Sequence, residues 1–171
     1  KSFGAGMITW PHGMYVDADD NVWIADAVGY APVPNGVGHS IMKFSPDGEL
    51  LMRLGEEGVA GDGNNVFNKP SDRLVAPNGD IFVADGHDAD GNNRIIKFDK
   101  DGNYLSQWGS TGGDHGQFRD PHALAMDSAG RLFVGDRGNS RLQIFTQDGE
   151  HLATWTQFGR PSGLFIDAND I

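Results

Sequence analysis

An all-β propeller built from four-stranded blades is the fold this sequence predicts, and three observations predict it: abundant glycine, a repeated strand and turn pattern, and prolines that return at intervals. Glycine supplies 25 of 171 residues, about twice ordinary usage. No Gly-X-Y period accompanies it, so the excess reads as many tight turns between short strands.

The repeat is most legible in three aligned segments, Val22-Trp23-Ile24-Ala25-Asp26, Ile81-Phe82-Val83-Ala84-Asp85 and Leu132-Phe133-Val134-Gly135-Asp136. Each follows an Asp/Asn/Gly cluster (17–21, 77–80 and 127–131) of the kind that closes a hairpin. A third strand follows in each unit, at Ile41–Phe44, Ile95–Phe98 and Leu142–Phe145, and each of these runs into an Asp-Gly turn. Segments 50–55, 104–109 and 152–155 supply a fourth strand. Together with the strand that begins after a proline, every unit has the makeup of a propeller blade.

Pro11, Pro70, Pro121 and Pro161 open successive units, 59, 51 and 40 residues apart. The longer units carry insertions at 31–36, at Asp88-Ala89-Asp90, and in the Gly-rich connections 55–65 and 109–117. Insertions that gather in loops often mark a binding face. Residues 161–171 begin a fourth unit, so the expectation is a partial propeller domain over 1–171, about three and a half blades. An open stack leaves strand edges unpaired. The chain is therefore expected to continue on both sides in a longer parent, the other reading being a short protein that dimerises to close a ring.

A formal net charge of −11 opposes phosphate neutralisation and argues against a nucleic-acid partner. With no cysteine, disulfides and thiolate metal sites are excluded. No apolar stretch approaches the ~20 residues of a membrane span, which argues against a membrane partner, and the first residues do not read as a signal peptide.

His12 and His122 stand at the same repeat position, directly after the blade-opening proline, where the other two units have Ser71 and Ser162. Innermost strands line the channel of a propeller, so equivalent positions converge on its axis. Two imidazoles from different blades can then meet at a metal, and zinc in a catalytic site usually takes three protein ligands plus an open position. A histidine serving as a buried hydrogen-bonding residue at a strand start is the alternative. His87 is expected on the same loop face, as acid/base or substrate contact, whereas His39, His115 and His151 read as exposed loop or strand-edge residues. Arg94 and Arg141 recur at matching places and are read as structural, through the guanidinium fork. Asp26, Asp85 and Asp136 are expected to fix turns, and Trp23, Trp108 and Trp155 to be core or blade-interface aromatics.

These segments resemble the peptidyl-α-hydroxyglycine α-amidating lyases, a family of NHL-repeat propellers. The resemblance rests on Trp10-Pro11-His12-Gly13, Lys69-Pro70-Ser71-Asp72, Asp85-Gly86-His87, Asn92-Asn93-Arg94, Pro121-His122-Ala123-Leu124 and Asp136-Arg137-Gly138-Asn139-Ser140-Arg141, in that order along nearly the whole chain. It implies a six-bladed ring with an axial Zn2+ held by three histidines, of which His12 and His122 would be two and the third would lie beyond Ile171. It also implies a structural Ca2+ that takes the backbone carbonyl of Met14, and a catalytic arginine preceding Lys1. Where the family has a catalytic tyrosine this chain has His87, followed by the inserted Asp88-Ala89-Asp90, so His87 becomes the candidate base. The implied reaction converts a peptidyl-α-hydroxyglycine to a peptide amide and glyoxylate, in an extracellular or periplasmic setting. Two readings stand: a zinc lyase acting on a peptide or small molecule, and a non-catalytic NHL-repeat propeller that binds a protein or glycan on its loop face.

Overall fold

A computed structural model describes residues 2–28, 36–88 and 90–171. Most of the inserted segment 31–36 and residue 89 lie outside the described residues. Among the described residues twelve strands form three antiparallel sheets, each a meander in chain order. Blade 1 comprises β1 (Trp10–Val16), β2 (Val22–Ala27), β3 (Ser40–Phe44) and β4 (Leu50–Leu54). Blade 2 comprises β5 (Pro70–Val75), β6 (Ile81–Asp85), β7 (Arg94–Phe98) and β8 (Tyr104–Trp108). In blade 3 the strands are β9 (Pro121–Met126), β10 (Leu132–Asp136), β11 (Arg141–Phe145) and β12 (His151–Trp155), with a short 3-10 turn at Arg137–Asn139. Residues 161–171 form no described strand and rest Leu164 and Ile166 on blade 3. No helix among the described residues is long and apolar enough to cross a membrane.

The second strand of each blade is buried on both faces, which is why it reads as an apolar run without alternation. Trp23, Ala25 and Ile41 of blade 1 share a core with Ile81, Val83, Ile96 and Phe98 of blade 2. On the other face of blade 2, Phe82, Ala84 and Ile95 pack with Leu124, Leu132, Val134 and Phe145 of blade 3. Ile24, Val83 and Val134 therefore occupy equivalent places, each turned away from the following blade. Phe67 and Phe118, at the ends of the Gly-rich connections, are fully buried between blades and anchor those connections by isolated parallel bridges to Ala60 and Thr111.

The recurring aspartates do a different job from the turn-fixing expected of them. Asp26, Asp85 and Asp136 are fully buried at the ends of their strands. Each accepts a backbone N–H from the segment that leads into its own blade: Thr9 and Trp10, Asn68, and Arg119. In blade 2 the carboxylate also receives Arg94 Nε at 2.9 Å and Asn92 Nδ2 at 2.7 Å. In blade 3 it receives Arg141 Nε at 2.7 Å and Asn139 Nδ2 at 2.9 Å. The remaining guanidinium nitrogens donate to carbonyls of the incoming connection, Asp62, Gly63 and Val66 for Arg94 and Gly113, Asp114 and Gln117 for Arg141. The Gly-rich connections are thus tied to the blades. Among the tryptophans, Trp23 is core and Trp108 packs between Phe82 and Phe145, while Trp155 leaves 39% of its surface exposed beside Phe133.

Candidate metal centre

One irregularity builds the site. The pairing of the first and second strands slips just after each blade-opening proline: between Pro11 and Met14, between Pro70 and Asp72, and between Pro121 and Ala123. The residues that fall on this bulge are His12 with Gly13, Ser71, and His122. A bulge re-aims the side chain it displaces, so the two histidines leave the alternation of their strands. Gly13 permits the close approach, because a Cβ there would stand 2.6 Å from Asp72 Oδ1 and 2.9 Å from the Ser71 carbonyl.

His12 Nδ1 donates to the Ser71 carbonyl at 2.7 Å, and His122 Nδ1 donates to the Ser162 carbonyl at 2.9 Å. A carbonyl only accepts, so each ring carries its proton on Nδ1 and offers the Nε2 lone pair. Ser71 does not face the channel as its repeat position suggested. It is fully buried, and its hydroxyl donates to the Pro121 carbonyl of the next blade.

His87 joins the pair. Its ring centroid lies 4.7 Å from that of His12 and 5.2 Å from that of His122, and the latter two are 4.5 Å apart. One ligand atom of each of the three lies within 4.8 Å of the others, against about 3.4 Å between nitrogens that share a tetrahedral zinc at its usual bond length. The expectation of a third histidine beyond Ile171 thus gains a rival inside the chain. Trp10 walls the cluster, edge-on to His12 and His87 at 5.5 and 5.1 Å.

Burial, with His87 beside it, lowers the pKa of His12 despite the opposing hydrogen bond to Ser71. Burial and then the His12 ring push His122 down to about 4. Both imidazoles are therefore neutral at neutral pH, the form in which histidine binds a metal.

Two pre-proline residues with left-handed backbones frame the mouth, Lys69 at φ 60° and Asp120 at φ 59°. The Lys69 N–H is received by His39 Nδ1 and the Asp120 N–H by Asn93 Oδ1. His39 is consequently buried, a correction to its reading as an exposed loop residue: it stands at the same repeat position as Asn93 and does the same work. Asp120 also holds Arg137 Nη1 at 2.7 Å. His115 is exposed and stacks on the half-buried His151, remote from the triad in the contacts they make. Met14 pairs with Ile24 and is 72% exposed. The only group of three or more metal-binding side chains gathered among the described residues is the histidine triad, so the calcium expectation rests on resemblance alone.

Comparison with known proteins agrees with the fold. Residues 118–145 match the family model described as the NHL repeat. The chain is 19% identical to a gluconolactonase of Xanthomonas campestris, with a TM-score of 0.70 over 97% of this chain and 54% of that one. With a virginiamycin B lyase of Staphylococcus aureus the identity is 16% and the TM-score 0.63, over 97% of this chain and 48% of that one. The three equivalent four-stranded blades define a chain of the β-propeller class that contains an NHL repeat. Among curated relatives, NHL repeat-containing protein 3 of Mus musculus is 38% identical over 133 residues, 75% of this chain and 37% of its own length. The probable peptidyl-α-hydroxyglycine α-amidating lyase of Caenorhabditis elegans is 37% identical over 127 residues, 72% of this chain and 33% of its own. The peptidyl-glycine α-amidating monooxygenase of Mus musculus is 36% identical over 146 residues, covering 80% and 14% respectively. The chain thus spans about a third of the length of the first two relatives.

Proposed function

We propose that this chain forms part of a zinc-dependent lyase that converts a peptidyl-α-hydroxyglycine to a peptide amide and glyoxylate. The observation that carries the reading is the convergence of His12, His87 and His122 from three blades, with two of the rings held by backbone carbonyls in the tautomer that binds a metal. Similarity to the amidating lyases supplies the substrate class. The reaction consumes neither water nor oxidant. The bond from carbon to the amide nitrogen breaks, the hydroxyl oxygen becomes the aldehyde oxygen of glyoxylate, and the hydroxyl proton ends on the amide nitrogen.

A zinc ion held by the histidines would supply Lewis acidity toward the hydroxyl or carboxylate oxygen of the substrate. The chain's own contribution is orientation and exclusion of water. His12 and His122 are fixed by Ser71 and Ser162, Trp10 covers one side, and Arg137, held by Asp120, would offer a cation to the substrate carboxylate. Two roles fit His87, proton acceptor or third ligand. A structural calcium on the Met14 carbonyl belongs to the same reading and awaits metal analysis.

Elemental analysis beside a glyoxylate assay tests the proposal. The purified protein should carry one zinc per chain and release glyoxylate from a peptidyl-α-hydroxyglycine, and a chelator should stop the release. Stoichiometric zinc without glyoxylate rejects the amidating chemistry. Neither zinc nor glyoxylate leaves a propeller that binds a protein or glycan on its loop face.

A further inference from the structure

We infer that Asp88 is the positioning residue of His87, and that it makes His87 a ligand of the metal rather than a free base. The inference rests on the metal-centre reading and deepens it. Asp88 follows directly on the histidine, yet its backbone is left-handed at φ 70°. Aspartate is among the few non-glycine residues that enter that region, as a single residue in a turn. The turn carries the carboxylate back over its neighbour, with Asp88 Oδ1 3.1 Å from His87 Nδ1. His87 is buried, 6% exposed, and its Nδ1 has no aligned hydrogen bond among the described residues. A small rotation of either side chain completes the bond to Asp88. That bond places the proton on Nδ1 and leaves Nε2 as the ligand atom, the arrangement by which a carboxylate orients a metal-binding imidazole.

The surroundings are built to hold this geometry. The Lys69 carbonyl accepts the N–H groups of Gly86 and His87 at 3.3 and 2.8 Å. The Lys69 ammonium reaches Asp88 at 3.7 Å and Asp90 at 2.9 Å. From the other side, Asp120 Oδ1 receives the Asp88 N–H. Gly86 and Gly91, which flank the insertion, are pressed together, and a Cβ on Gly91 would stand 2.3 Å from the Gly86 Cα. His12 and His122 have backbone carbonyls behind their Nδ1 atoms. Among the described residues no carbonyl stands behind His87 Nδ1, and the first residue of the insertion supplies a carboxylate in its place.

Cobalt(II) as a spectroscopic stand-in for zinc separates the cases. The wild-type protein should bind one cobalt with the visible absorption of a tetrahedral site. His87→Ala should lose at least 100-fold in affinity, and Asp88→Ala 10–100-fold with a shifted band, while each metal-free variant still unfolds in a single cooperative transition. Asp88→Glu should recover most of the affinity. Asp88→Asn, which keeps shape and an acceptor oxygen without the charge, should lose less than Asp88→Ala. Wild-type affinity and spectrum in both Asp88→Ala and Asp88→Asn, with loss in His87→Ala, would overturn the positioning role and leave the metal centre standing. Undiminished binding in His87→Ala would overturn the ligand assignment and return His87 to the role of base. A wild-type protein that takes up no cobalt would remove the metal-centre reading itself.

Discussion

Blade 2 and its two neighbours use one backbone feature for opposite ends. All three carry a bulge directly after the blade-opening proline. In blade 2 the bulge holds Ser71, whose hydroxyl turns inward to bind the next blade; in blades 1 and 3 it holds His12 and His122, which turn toward each other. The repeat decides where a side chain points, and its identity decides between cement and chemistry. A second contrast runs through the clamps. Asp85 and Asp136 meet a guanidinium from the first residue of the third strand, whereas Asp26 faces Ser40 at that place. Blade 1 thus relies on backbone N–H groups to hold the segment leading into it.

The clamp contrast is broken most directly by removing the aspartates. Asp85→Ala leaves Arg94 buried without its carboxylate and should cost about 3–5 kcal/mol, and Asp136→Ala the same through Arg141. Asp26→Ala removes hydrogen bonds from two backbone N–H groups and should cost less, about 1–3 kcal/mol. Denaturant titration of the three variants checks the order, and equal losses would show that the guanidinium fork adds nothing to the clamp.

The metal-centre side sharpens through pH. His12 and His122 have pKa values lowered in the folded state, His122 to about 4. Between the ordinary histidine value and that level the unfolded chain binds more protons than the folded one, so stability rises with pH there. The metal-free protein should accordingly lose stability as pH falls from about 6.5 toward 4, and His122→Gln should remove part of that loss. A flat profile across this window would show that the imidazoles are not held neutral by burial. Ser71→Ala carries the smallest effect, about 1 kcal/mol of stability for one hydrogen bond. It should leave metal affinity unchanged, since His12 rests on the Ser71 carbonyl and not on its hydroxyl.

The arginine clamps were half legible. Arg94 and Arg141 recur beside asparagines, and recurrence in a repeat points to structure. The aspartates were misread because their partners are backbone N–H groups 16–17 residues earlier in the chain, a distance at which sequence carries no local signal. His39 was misread for a related reason. Its equivalence to Asn93 becomes visible only when both are seen to receive the N–H of the residue before a proline in the following blade.

The sequence by itself determined the four-strand period, the blade boundaries at the prolines and the two Pro-His pairs, because turn chemistry and strand alternation are local and repeat with the chain. Only the tertiary structure decided that the bulge turns those histidines together, that Ser71 turns away, and that a left-handed Asp88 brings His87 to the same point. These outcomes depend on how three blades stack, and the distances that matter separate residues 35 to 110 positions apart in the chain.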